Sequence, residues 1–172
     1  MIKTVGAVLI IGTSTLIGFF CAQKFGERCQ LLKLWLRILA IFQTEIYCQA
    51  QVLPEVFRRT ALFIEDRYFA NAFTWLASSL EFGSDQDFSE AWRRFLIETG
   101  VGVLTKNDLT VLNELGDYLG CTDRRDQLEK IVNCQAKLEQ NLKTAENERS
   151  KRVGVYRYLG FAMGAVLVLW LL

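Results

Sequence analysis

Charge is confined to the middle of this chain, and that layout limits the possible folds more than any motif does. All 19 acidic residues lie between Glu27 and Glu148, and all but one of the 20 basic residues lie between Lys24 and Arg157, the exception being Lys3. Thr4 to Gln23 is an unbroken run of 20 uncharged residues. As a helix rising about 1.5 Å per residue it covers roughly 30 Å, the depth of a bilayer's hydrocarbon core. At the other end, Tyr158 to Leu172 contains no Asp, Glu, Lys or Arg. Its length as helix, roughly 22 Å, is somewhat short of the core, so Arg157 has to reach back toward the surface. The sequence therefore predicts transmembrane helices over 4–23 and 158–172 flanking a polar domain over 24–157. Tyr156, Tyr158 and Trp170 suit the two membrane interfaces.

A cleaved signal peptide and a secreted protein are the competing reading of the first segment. Against it, the region before the apolar run has only Lys3, and no small-x-small site follows. Phe20 stands directly before Cys21, where a lipoprotein needs a small residue. Basic residues set the orientation: Lys24, Arg28, Lys33 and Arg37 follow the first span, and Lys143, Arg149, Lys151, Arg152 and Arg157 precede the second. The positive-inside rule then puts the domain in the cytoplasm and both termini on the far side of the cell membrane. Gly12 and Gly18 in the first span, and the Gly160-x-x-x-Gly164 spacing in the second, offer small surfaces for helix packing. Ordinary small residues in membrane helices explain them equally well.

A single Pro and few turn clusters point to an all-α domain of six helices. The first continues from the membrane to about Gln51, with apolar positions including Leu31, Leu34, Trp35, Ile38, Leu39, Phe42 and Ile46. So wide a stripe marks a central helix. Pro54 suits the first turn of the second helix, which has Val56, Phe57, Ala61 and Ile64 on one face. The third runs from about Arg67 to Leu80, stopped by Gly83. Ser84 and Asp87 have capping-box spacing before a fourth, which has Phe88, Ala91, Trp92, Phe95 and Leu96 on one side and ends at Gly100 and Gly102. Thr105 and Asp108 repeat that spacing for a fifth, with Leu109, Leu112, Leu115 and Leu119 along it and Gly120 as its left-handed cap. Thr122 or Asp123 opens the sixth. Leu128, Ile131, Leu138, Leu142 and Ala145 form its seam, broken by Gln135, and it runs without interruption into the second span.

The residues of common catalysis are missing. There is no His, the commonest general base and metal ligand. No Gly-rich loop precedes a Lys-Ser or Lys-Thr pair to cradle phosphates. Five Cys at 21, 29, 48, 121 and 134 make an odd number without a Cys-x-x-Cys pair, which reads as free thiols, although Cys121 and Cys134 remain a conceivable pair. Cys29 beside Arg28 is the best local case for a reactive thiol. Paired carboxylates such as Glu65 with Asp66 fit helix caps and solvated faces. No catalytic residue, metal, cofactor or small-molecule substrate is expected. The net charge of +1 lacks the basic excess that nucleic acid requires.

Several short stretches together carry a family resemblance along the whole chain. They are Gly6-Ala7, Ser14-Thr15 and Gly18; Thr44-Glu45-Ile46-Tyr47; Leu53-Pro54; Ala91-Trp92; Leu115-Gly116 to Leu119-Gly120; Asp123, Arg124 and Gln127; and Tyr158-Leu159-Gly160 with Gly164. In this order, with an apolar run at each end, the chain resembles the stage III sporulation protein AB family of endospore-forming bacteria. One departure is Val52-Leu53-Pro54, where the family pattern has Pro before an apolar residue.

The resemblance implies a relative of the inner-membrane platform proteins of type II secretion, whose six-helix cytoplasmic F domains contact an assembly ATPase. It implies a subunit of the channel complex in the mother-cell membrane facing the forespore. The ATPase and further membrane subunits would be separate partners, with a homo-oligomer possible. Thr44, Glu45, Asp123, Arg124 and Gln127 are the partner-contact candidates; capping and intrahelix pairing compete as explanations for them. A membrane-tethered enzyme using a Cys or a carboxylate pair is the alternative function.

Overall fold

A computed structural model describes the backbone of residues 2–49, 52–82, 88–100, 102–119 and 123–171, with all of their side chains except those of 2–11, 15–25, 48–49, 82, 152–161, 163–167 and 169–171. The described residues form six α-helices: α1 (Ile2–Gln49), α2 (Leu53–Phe63), α3 (Arg67–Phe82), α4 (Phe88–Gly100), α5 (Lys106–Gly116) and α6 (Arg124–Leu171). The all-α expectation holds, and so does the unbroken course of the first and last helices. Residues 31–141 make one compact unit, and residues 1–30 with 142–172 make another.

In the larger unit the core grows from α1. Leu32, Trp35, Leu39, Phe42 and Ile46, spaced alternately by three and four residues, are all buried. That spacing keeps one stripe facing inward for four turns. Trp35 meets Phe69, Phe73, Trp92 and Phe95 edge-on, with ring centroids 6.0–6.5 Å apart. Phe57 of α2 stacks on Trp92 at 6.2 Å and tilts against Phe42 at 5.5 Å. These rings connect α1 to α2, α3 and α4, and each such pair adds about 0.5–1.5 kcal/mol beyond the area it buries.

The helix starts follow local chemistry. The Asp66 carboxylate accepts from the N–H groups of Tyr68 (2.8 Å) and Phe69 (3.3 Å), capping α3. At α5 the expected capping box forms: the Thr105 hydroxyl accepts from the Asp108 N–H, and Asp108 Oδ2 accepts from the Thr105 N–H at 2.9 Å. Asp108 is fully buried, and its Oδ1 takes a 2.8 Å hydrogen bond from Asn141 Nδ2, so the cap also ties α5 to α6. Gly102, at φ +80°, makes the left-handed turn after α4. The proposed stops and caps at Gly83, Ser84 with Asp87, Gly120 and Thr122 lie outside the described residues.

Two expectations need correction. Helix α5 ends at Gly116, short of Gly120. After Gly116 the backbone tightens to turns, with Tyr118 N–H donating to Leu115 O at 3.1 Å, while Leu119 stays buried. Here Trp92 packs against Gly116 and donates its Nε1–H to Leu112 O at 2.9 Å. The second correction concerns α6, whose seam includes Cys134, buried between Ile131 and Leu138. This thiol behaves as a small apolar group, directly before Gln135, where the seam was expected to break.

Among the described residues no helix is long and apolar enough to cross a membrane. The two segments expected to do so, 4–23 and 158–172, are helical in backbone from residue 4 to 23 and from 158 to 171, and most of their side chains lie outside the described residues. In the smaller unit, Arg28 pairs with Glu148 at 3.6 Å, and the Arg149 guanidinium lies 3.8 Å from where a Cβ on Gly26 would stand. The Arg28–Glu148 ion pair links the facing parts of α1 and α6 there.

The Trp92–Gly116 contact gives a direct check on the core. A Cβ at residue 116 would fall inside the indole of a buried ring. Gly116→Ala is expected to lower stability by about 1–3 kcal/mol through overpacking, read as a lower urea midpoint at unchanged helix content. An unchanged midpoint would show that α4 and α5 do not close on each other there.

Candidate partner-contact surface

The partner-contact candidates come from the end of α1 and the start of α6, and the fold brings the two stretches together. The Arg124 guanidinium carbon sits 5.8 Å from the centroid of the Tyr47 ring, a cation–π contact between exposed residues. Thr44, one helical turn before Tyr47, is exposed and donates its hydroxyl to Ala40 O at 2.9 Å. Asp123 is exposed, and its carbonyl accepts from the Gln127 N–H at 2.9 Å, closing the first turn of α6. Thr44, Tyr47, Asp123 and Arg124 thus sit on exposed surface at the ends of α1 and α6 that the Tyr47–Arg124 contact joins, with half-buried Gln127 one turn into α6.

Glu45 does not share that surface. It is 7% exposed, and its Oε2 accepts from Arg59 Nη1 at 3.3 Å. Arg59 also donates to Glu55 at 3.1 Å, Glu55 lies 3.8 Å from Arg58, and Arg58 pairs closely with Glu81. These five residues form a ladder of alternating charge across α1, α2 and α3. Glu45 is therefore an anchor for α2, and its neighbour Tyr47 takes its place in the exposed patch. Tyr47 was visible in the sequence only as part of the family stretch, and its pairing with Arg124 joins positions far apart in the chain.

Of the proposed membrane-packing glycines, Gly12 is exposed with nothing within 4 Å of an added Cβ. Gly18, Gly160 and Gly164 lie outside the residues whose side chains are described.

Two of the grooves among the described residues bear on chemistry. One, about 470 Å³, lies between α5 and α6 and includes Tyr118, Lys130, Cys134 and Lys137 in its lining. Lys130 caps the Tyr118 ring at 4.3 Å, and Lys137 pairs with Glu114 at 2.7 Å, a hydrogen bond that raises the lysine's pKa. Burial pushes the Cys134 thiol up to about 12. Cys134 and Cys29 are both buried, so Cys29 is not the accessible nucleophile that its place beside Arg28 suggested, and Cys134 does not pair with Cys121. Among the described residues no group of three or more His, Cys, Asp or Glu side chains is placed to hold a metal ion. The other groove, about 390 Å³, lies between α3 and α4.

The family model for stage III sporulation protein AB matches residues 3–172. The chain belongs to that family. Stage III sporulation protein AB of Bacillus subtilis (strain 168) is 28% identical over 173 residues, with both chains covered completely. No solved structure matches the chain. The structure of this stage III sporulation protein AB family member gives the family stretch Thr44 to Tyr47 two separate duties: Glu45 holds α2, and Tyr47 meets Arg124.

Cys134 supplies a pH test of the α5–α6 packing. Below pH 9 its thiol is protonated in both the folded and the unfolded chain; between about 9 and 12 the unfolded thiol ionises while the folded one resists. Stability is therefore expected to fall as pH rises through that window, and Cys134→Ala is expected to flatten the fall. Equal slopes in urea titrations of the two proteins between pH 8 and 10 would place the thiol in water.

Proposed function

We propose that this chain is a non-enzymatic scaffold subunit of a membrane channel complex needed for endospore formation, held in the membrane by both terminal helices, with its bundle in the mother-cell cytoplasm. Its task in this reading is to dock a separate assembly ATPase and other channel subunits. The observation that carries the reading is the exposed Tyr47–Arg124 contact, which joins two family stretches from opposite ends of the bundle sequence on one surface. Family membership supports the sporulation role, and the confinement of charge to the middle of the chain supports the two anchors. The choice of an ATPase as partner rests on the kinship with type II secretion platform proteins that the family resemblance implies. The exposed cation of Arg124 favours an acidic partner surface, because complementary charge speeds encounter and fixes register.

The test is co-purification from detergent-solubilised membranes of sporulating cells. Arg124→Glu is expected to reduce the recovered ATPase at least tenfold while the circular dichroism of the isolated protein stays unchanged, since both side chains of the stack are exposed. Full recovery of the ATPase with Arg124→Glu would retire this surface as the docking face.

A further inference from the structure

Four bases, Arg149, Lys151, Arg152 and Arg157, fall within nine residues of α6, and no Asp or Glu follows Glu148 in the sequence. On α1 the matching base is Lys24, and no acid precedes Glu27. Both stretches belong to the smaller unit, residues 1–30 with 142–172. Each helix thus carries a single sign of charge where its polar part meets its apolar segment.

Within that unit the two stretches are brought together. The Arg149 guanidinium lies against α1 at Gly26, 3.8 Å from where a Cβ would stand and two residues along the chain from Lys24. Glu148, the last acid, is engaged by Arg28 at 3.6 Å. Arg149 and Lys151 are exposed, and neither has a carboxylate within ion-pair reach among the described residues. Glu27 and Glu146 are the nearest remaining acids, and both stand on the side of the polar domain.

The spacing matches the depth of a membrane surface. Arg149 precedes Arg157 by roughly 12 Å of helix, and residue 152 by about 7 Å less than that leaves it near the boundary. A headgroup layer is roughly 5–8 Å deep on each side of the hydrocarbon. With Arg157 at the hydrocarbon boundary, residue 152 falls in that layer, and Arg149 and Lys151 lie within a Debye length of it, about 10 Å. Clusters of about four to eight bases directly beside a membrane helix attract anionic lipid. Arginine suits the task, because its planar fork takes two phosphate oxygens at once.

We propose that this collar binds the phosphate groups of anionic lipids of the phosphatidylglycerol class, in the leaflet beside the polar domain. The inference rests on the reading of both terminal helices as membrane anchors. Bound lipid fixes the depth at which α1 and α6 leave the bilayer.

Lipid selectivity tests it. Full-length protein is reconstituted in vesicles of phosphatidylcholine, and spin-labelled phosphatidylglycerol and phosphatidylcholine are compared for their share of the motionally restricted lipid shell. The wild type is expected to prefer phosphatidylglycerol by at least about threefold. The triple variant Arg149→Gln, Lys151→Gln, Arg152→Gln is expected to lose most of that preference. A control of equal charge loss in the other unit, Arg93→Gln, Arg94→Gln, Lys106→Gln at exposed positions, is expected to keep it. Circular dichroism checks that both variants fold. A wild type without preference, a collar variant with wild-type preference, or a control that loses as much as the collar variant would each overturn the proposal. Loss of the preference on adding millimolar inorganic phosphate at constant ionic strength would assign the site to a free anion and overturn it too. Alkaline carbonate extraction from the same vesicles reads the anchors separately. Protein stripped by carbonate overturns the anchors and the collar together, whereas protein retained without lipid preference overturns the collar alone.

Discussion

The bundle depends on the burial of Trp35. Its ring stands among four aromatic edges contributed by α3 and α4, so the central helix, the third and the fourth meet around one side chain. Trp92 extends the contact outward by lying on Gly116 and bonding a carbonyl of α5. The arrangement has a cost: Trp35 Nε1 is buried without an acceptor among the described residues, about 1–3 kcal/mol for an unsatisfied donor. Edge-to-face contact with four rings, each pair contributing about 0.5–1.5 kcal/mol beyond its area, is of a size to offset it.

Around that centre the polar groups are used mainly to fix helices. Asp66 and Asp108 cap α3 and α5, and Asp108 reaches on to Asn141 of α6. Glu45 begins the ladder that holds α2 against α1 and α3. With these groups assigned to structure, the polar residues left at the ends of α1 and α6 stand out, and Tyr47 and Arg124 are the two that touch. A rigid helical frame that presents a small polar contact suits the scaffold role proposed above.

What the sequence disclosed followed the range of the interactions. The capping box at Thr105 and Asp108 spans three residues, so spacing alone located it. The stripe on α1 was legible for the same reason, because a helix repeats its inward face every three to four residues. Contacts between distant segments left no such trace. Helix α5 ends at Gly116, where Trp92 packs against the backbone, whereas the spacing of leucines had favoured Gly120. Cys134 was passed over because periodicity was counted on larger apolar residues. Glu45, charged and near a helix end, read as a surface group until its contact with Arg59 placed it inside. Tyr47 with Arg124 required the folded chain, since nothing local in either stretch specifies the other.

The functional account turns on whether the surface at Tyr47 and Arg124 is the one that meets the ATPase. The most direct measurement places a photocrosslinking amino acid at Tyr47, and separately at exposed Thr110 on α5, in sporulating cells. The expected result is an ATPase adduct from position 47 and none from position 110. Adducts from position 110 with none from position 47 would contradict the account.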